Sequence, residues 1–369
     1  MRASRLIILS LAWLSISSVY SVTPQAHASG SGVTSKTLAV IVNDADPHSQ
    51  EIARYYQKRR RIPAANMIHV SFAPGASVMS YATFQKIKKE VTARTPANVQ
   101  AYVLTWAAPY RVDCMSITTA FAIGFDKKFC SQNCAATRPS PYFNSDSRAP
   151  YSDHGIRPTM ALSGVSIMEV KRLIDRGLAS DASFPRGTGY LVSTADKARN
   201  VRAALYPTIL QYLRGKLNLQ VVQADGIQNR SDVLFYFTGI TKVNGLHTLR
   251  FLPGAIADHL TSAGGQLTDS GQMSSLRWLE AGATGSYGTV VEPCNLPGKF
   301  PSPGIVIMHY LHGDSLIEAY WKSVAMPGEG IFIGEPLARP FGSHSVASET
   351  LGTQKHRQAH LSRTSNLIP

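Results

Sequence analysis

Short apolar runs rich in β-branched residues alternate, through the first third of the chain, with segments whose apolar positions recur every three or four residues. Leu38–Asn43 reads LAVIVN and residues 100–106 read QAYVLTW; apolar runs of this length that end in polar residues predict buried strands. Between them, Pro47–Arg60 carries Ile52, Tyr55 and Tyr56 on one helical face, with Asp46 placed to cap it. Residues 66–72 are strand-like, and Phe84, Ile87 and Val91 share one face of a helix that must stop before Pro96. Strands that alternate with helices pair in parallel through right-handed crossovers. The expected fold class is therefore α/β, a mostly parallel sheet flanked by helices.

The pattern breaks between residues 126 and 160, a long irregular excursion holding Cys130, Cys134, Pro139, Pro141, Pro150 and Pro158. Loops of this length are uncommon unless stapled or functional. Order resumes at Ser166, which with Glu169 forms a capping box for a helix carrying Val170, Leu173, Ile174 and Leu178. Residues 187–194 and 232–238 are predicted strands, separated by a helix that Pro207 opens and that runs through Ile209, Leu210 and Leu213. Residues 254–261 and 274–281 are predicted helices and 285–291 a strand; Ser315 and Glu318 make a second capping box before Leu316, Ala319 and Tyr320. Residues 29–341 thus form one α/β domain, with 29–160 and 161–341 as candidate related halves. The tail 342–369 is polar and basic without periodicity, and is expected to be disordered.

Arg2 and Arg5 precede an apolar run from Leu6 to Val22, and Ala26-His27-Ala28 offers the small residues of a peptidase cleavage site. Residues 1–28 therefore read as a secretory leader; an uncleaved anchor is the rival, but serines interrupt a run shorter than the roughly 20 apolar residues of a span. No membrane span is expected after cleavage. Of 369 residues, 44% are hydrophobic and 16% charged, as for an ordinary globular interior, and the formal net charge is +14. A basic exported protein is drawn to anionic surfaces. Zinc-finger spacing, an aromatic RNP run and a basic zipper are all missing from the sequence, so specific nucleic-acid recognition is not expected. The Lys58–Arg61 run closes a helix, where cations oppose the carbonyl end of the dipole. Four cysteines in an oxidising compartment suggest two disulfides, with three possible pairings. Cys130 and Cys134 could close a small ring, leaving Cys114 and Cys294 as a long-range staple. Zinc is the alternative, though no second pair completes a tetrahedral set.

In open parallel sheets ligands bind beyond the carboxyl ends of strands. The loop after the first strand places Asp44, Asp46 and His48 at alternating positions, a candidate metal site; the plainer reading is that Asp46 caps the helix and Asp44 bonds the turn. The second candidate is Ser262 as an exposed hydroxyl nucleophile, with His259 (or His247) as base and Asp258 as orienting group. Here too a structural role is the plainer reading. The spacing fits no G-x-S-x-G elbow, and His259 lies three residues from Ser262 on the same predicted helix. Glu292, at a strand end, could serve as acid or base. Phosphate-cradling glycine loops, H-E-x-x-H and dinucleotide fingerprints are missing from the sequence, and no cofactor is expected.

With these segments in place, the chain resembles an uncharacterised family of exported bacterial proteins that tends to occur in species carrying the exosortase sorting system. The matching stretches include Val42 to Ser49, Ile52-Ala53-Arg54-Tyr55-Tyr56, Arg61 to Asn66, Pro253 to Ala257, Gly282-Ala283-Thr284, Tyr287 to Pro293, Glu318-Ala319-Tyr320-Trp321 and Gly334 to Phe341. Glu335 stands where that family is expected to carry Asp. The second half is also similar to gingipain-type cysteine peptidases, which implies a caspase-like or flavodoxin-like sheet. In those enzymes a His beside Gly follows one strand and the catalytic Cys ends the next. Here Gly239 is followed by Ile240, and the nucleophile segment reads Thr261-Ser262-Ala263. The resemblance thus implies a missing dyad, and an accessory role with a peptide, a surface protein or an anionic polysaccharide as partner. A secreted hydrolase is the competing expectation.

Overall fold

Each buried strand of the first half is apolar on both sides because helices cover both faces of the sheet. The computed structural model describes residues 32–131 and 134–342, which fall in one compact unit. Residues 1–28, the expected leader, and the tail beyond Gly342 lie outside the described residues. The first half runs β1 (Leu38–Asn43), α1 (Pro47–Arg60), β2 (Met67–Val70), β3 (Val78–Met79), α2 (Tyr81–Arg94) and β4 (Ala101–Leu104). Then come β5 (Arg111–Val112), β6 (Met115–Ser116), α3 (Ile117–Ile123), α4 (Pro150–His154), β7 (Thr159–Ala161) and α5 (Ile167–Ser180). The second half holds β8 (Thr188–Ser193), α6 (Tyr206–Tyr212), β9 (Asn218–Gln223), β10 (Val233–Gly239) and β11 (Phe251–Leu260). It closes with α7 (Leu276–Ala281), β12 (Gly285–Thr289), α8 (Pro303–Leu311), α9 (Leu316–Ser323) and β13 (Gly330–Gly334).

Ten strands form one sheet in the order β2-β1-β4-β7-β13-β12-β11-β10-β8-β9, and β3, β5 and β6 form a small second sheet. The ladders β1–β2, β1–β4, β4–β7, β8–β9, β8–β10, β10–β11 and β11–β12 are parallel, and β12–β13 is antiparallel. The mostly parallel α/β expectation therefore holds. Read inward from either edge, the four outer strands repeat one order: second, first, third and fourth of their half. In both halves the first strand is flanked by its successor on one side and the third on the other, which opens a crevice at its carboxyl end.

One long prediction fails. Of residues 254–261, expected to be helical, 254–260 belong to strand β11; Ile256, Ala257 and Leu260 are all buried, and a fully buried strand shows no two-residue alternation. The ladder to β10 slips between Val233 and Phe235, and Gly254 at φ 88° lets the bulged strand pass Pro253. The sequence pattern also leaves unpredicted strands β3, β5, β6, β7, β9 and β13 and helices α3, α4 and α8. The two capping positions are as expected: Ser166 Oγ accepts from the N–H of Glu169, and Ser315 with Glu318 forms the complete reciprocal box.

The cysteine pairing also differs from the one first considered. The bonds are Cys114–Cys130 and Cys134–Cys294, with no free thiol. The ring through neighbouring cysteines does not form; each instead ties the excursion to a different neighbour, Cys130 back to the small sheet and Cys134 forward to the turn after β12. Further ties hold this excursion down. Ser140 and Asn144 donate backbone hydrogen bonds to Ala325 and Lys322, and the buried Lys299–Glu329 pair sits at 3.3 Å, with Ser131 N–H donating to Glu329 at 2.5 Å.

The ends of α1 and α5 meet at a buried carboxylate. Glu335, after β13, accepts from Tyr56 Oη at 2.8 Å and from Arg60 Nε at 3.0 Å, and Arg60 also pairs with Asp181. Gly177 of α5 lies directly against Glu335, where a Cβ would come within 2.5 Å of Oε2.

Candidate functional site

Two crevices follow from the topology, one at the ends of β1, β4 and β7 and one at the ends of β8, β10 and β11. The first is organised by Asn43, the last residue of β1. Its amide donates to Phe72 O at 3.0 Å and accepts from the N–H groups of Phe72 and Ala45, fixing the loops after β1 and β2 together. Ser49 in α1 and Thr105 after β4 share a hydrogen bond of 2.6 Å below them. Above this floor is a cavity of about 310 Å³ whose walls include Asp46, His48, Ile52, Trp106, Ser163 and Ile167.

The three candidate metal ligands do not converge. Asp44 Oδ1 lies 2.7 Å from His69 Nδ1 on β2, an exposed pair. Asp46 accepts the N–H of His48 at 2.9 Å and caps α1, as the plainer reading had it. The exposed His48 imidazole makes no hydrogen bond among the described residues. Among the described residues, no group of three or more His, Cys, Asp or Glu is placed to hold a metal ion.

In the second crevice, β10 and β11 run side by side with Gly239 opposite Leu260, so Ile240 and Ser262 follow adjacent strand ends. Ser262 is half-buried; its carbonyl accepts from Thr289 Oγ1 at 3.0 Å, and among the described residues its hydroxyl has no hydrogen-bond partner. His259 is not beside it. On a strand, successive side chains point to opposite faces, and the buried His259 ring is fixed at both nitrogens. Trp278 Nε1 donates to Nδ1 at 2.9 Å, and Nε2 donates to Met273 O at 3.1 Å. Burial drives its pKa down to about 3, so the ring is neutral and has no free lone pair for a serine proton.

Asp258 is engaged elsewhere. It pairs with Arg202 at 2.6 Å, both side chains being at most 2% exposed. Burial pushes the Asp258 carboxyl up to about 6 against the opposing pull of Arg202. Arg202 further donates to Thr238 O at 2.6 Å, and the backbone of Arg199 packs onto Gly239 so closely that a Cβ there would meet Arg199 O. Thr194 Oγ1 donates to Gly239 O at 2.6 Å. The end of β10 is thus covered by the loop after β8. Glu292 is exposed and accepts from the N–H of Cys294 at 2.8 Å, closing the turn to the disulfide. A larger cavity of about 710 Å³ lies between residues 241–246 and 267–277; Ser262, His259 and Glu292 are not in its wall.

The structure also exposes residues that pattern reading passed over. Ser163 and Gly164 line the first cavity because β7, only three residues long, ends just before them, and Trp106 joins them from the end of β4. The short run Met160-Ala161-Leu162 ahead of Ser-Gly is the signal that could have located them. Loop 261–275 reaches across as well: Asp269 accepts from Ser77 Oγ at 2.7 Å and Tyr110 Oη at 2.6 Å.

No family model matches the chain, and no curated protein matches it. Among solved structures, the Arg-specific cysteine proteinase gingipain R superposes with a TM-score of 0.48 at 11% identity, over 83% of this chain and 78% of that one. A second structure, described as a protease, gives a TM-score of 0.40 at 12% identity, over 84% of this chain and 79% of the other. Likeness at this level says nothing about the chemistry of individual residues.

Proposed function

We propose that this protein is an exported, non-catalytic binding protein whose ligand is a peptide or a segment of a surface protein, in an accessory role within an export or protein-sorting pathway. The observation that carries the reading is His259. Its two ring nitrogens are both occupied and its burial keeps it neutral, so His259 supplies no base to Ser262 beyond the end of β11. A serine hydroxyl without an adjacent base is a weak nucleophile. Two disulfides with no free thiol support export, since such bonds persist in oxidising compartments. Among the described residues no helix is long and apolar enough to cross a membrane.

The test is a fluorophosphonate probe applied to the full chain produced in an oxidising compartment. Labelling is expected to stay at the level of the heat-denatured control. Labelling that disappears in Ser262→Ala would establish a serine hydrolase instead. Retention on an anionic polysaccharide matrix at physiological salt, without binding to a peptide library, would replace the peptide by a polysaccharide.

A further inference from the structure

The loop from β7 into α5 reads Ser163-Gly164-Val165-Ser166, and it combines two features that nothing else in the first crevice explains. Ser163 is 1% exposed, and its hydroxyl has no hydrogen-bond partner among the described residues. Buried polar groups are almost always paired, so a single unpaired hydroxyl in a cavity wall marks a place where a partner is missing. Beside it, the backbone N–H groups of Gly164, Val165, Ser166 and Ile167 have no acceptor among the described residues, and all four residues line the same cavity of about 310 Å³. Ile167 opens α5, a helix of 14 residues whose N-cap is the neutral Ser166 and whose one first-turn acid, Glu169, is paired with Arg172. Donors at a helix N-terminus, with the positive end of the dipole behind them, favour an oxyanion.

Asp46, in the wall of the same cavity, decides which oxyanion. It closes the first turn of α1, where its carboxylate accepts the N–H of His48. The negative charge of Asp46 in the same wall repels one like charge less than two, which favours a carboxylate over a phosphate dianion. The rest of the wall mixes the polar His48, Thr105 and Thr268 with an apolar part that includes Ile52, Trp106 and Val170. The volume is at the small end for a ligand cavity and matches one apolar group with its acid.

We infer that this cavity binds a carboxylate carried on an apolar body, of which the carboxy-terminal residue of a peptide is the form that fits the proposed function. The inference rests on that binding reading and gives it a site and a ligand chemistry. Ser163 and the α5 N-terminus hold the acid; Trp106, Ile52 and Val170 hold its apolar group.

The test titrates the full chain with N-acetyl-leucine, N-acetyl-leucinamide and inorganic phosphate. The acid is expected to bind about tenfold more tightly than the amide, which cannot present an anion to the donors. Phosphate is expected to bind more weakly than the acid. Ser163→Ala should weaken the acid several-fold while leaving the thermal midpoint unchanged, because the hydroxyl makes no hydrogen bond among the described residues. Ile167→Pro removes one donor at a position where proline suits a helix, behind a Ser166 already in the extended conformation that proline requires, and should weaken the acid similarly. An acetylated tripeptide ending in leucine that outbinds N-acetyl-leucine identifies a peptide terminus as the source, and equal binding of 4-methylpentanoate identifies a free acid. Equal affinity for acid and amide, or unchanged affinity in both variants, overturns the inference. That result with a silent fluorophosphonate probe leaves the non-catalytic reading standing, whereas labelling at Ser262 with acid binding intact does the reverse.

Discussion

At the scale of single residues, spacing and environment point in different directions at His259. Three positions before a serine suggests proximity on a helix, yet on a strand the same spacing separates the two side chains, and the imidazole is consumed by Trp278 and Met273. The burial that silences it leaves a thermodynamic trace. Its pKa is about 3 in the folded chain and near 6.5 when unfolded, so between these values only the unfolded chain takes the proton. The stability it contributes is present above pH 6.5 and is lost as pH falls towards 3. Denaturant melts from pH 7 to pH 4 should show wild type losing stability relative to His259→Gln by up to ~1.4 kcal/mol per pH unit. Parallel curves for the two proteins would mean that the ring is accessible and available as a base.

Among the elements, caps were legible and buried periodicity was not. Asp46, Ser166 and Ser315 each announce a helix start because a cap is a local bond between near neighbours in sequence. By contrast, β11 was misread because burial on both faces removes the alternation that distinguishes a strand. Helix α5 shows how a tertiary contact can reverse a propensity. Glycine to alanine inside a helix ordinarily gains about 1 kcal/mol. At Gly177 the new Cβ would lie 2.5 to 2.8 Å from the side chain of Glu335, which Tyr56 and Arg60 hold in place. Gly177→Ala is therefore expected to destabilise, by ~1 to 3 kcal/mol, read as a lower thermal midpoint. A rise would show that Glu335 is free to move.

For the whole molecule, the two disulfides divide unequal work. Cys114–Cys130 spans 16 residues and Cys134–Cys294 spans 160. Loop-closure entropy in the unfolded chain assigns them about 3 and about 5 kcal/mol. The paired variant Cys134→Ser with Cys294→Ser should accordingly lose more stability than Cys114→Ser with Cys130→Ser. Non-reducing peptide mapping should recover the 114–130 and 134–294 cross-linked fragments. Recovery of a 130–134 ring would refute the arrangement of the excursion, and with it the burial of Lys299 and Glu329 beside it.

The linear order of apolar runs, turn residues and caps was enough to determine an α/β chain with helices between parallel strands, since those features depend on neighbours only a few positions away. Strand order, the repeated arrangement at the two edges, the cysteine partners and the cavity beside Ser163 depend on segments up to hundreds of residues apart. Ser163 shows the difference most plainly. In the sequence it is a serine before a glycine, and only the packing of α1, β4 and α5 around it removes water from its hydroxyl and leaves that hydroxyl without a partner among the described residues.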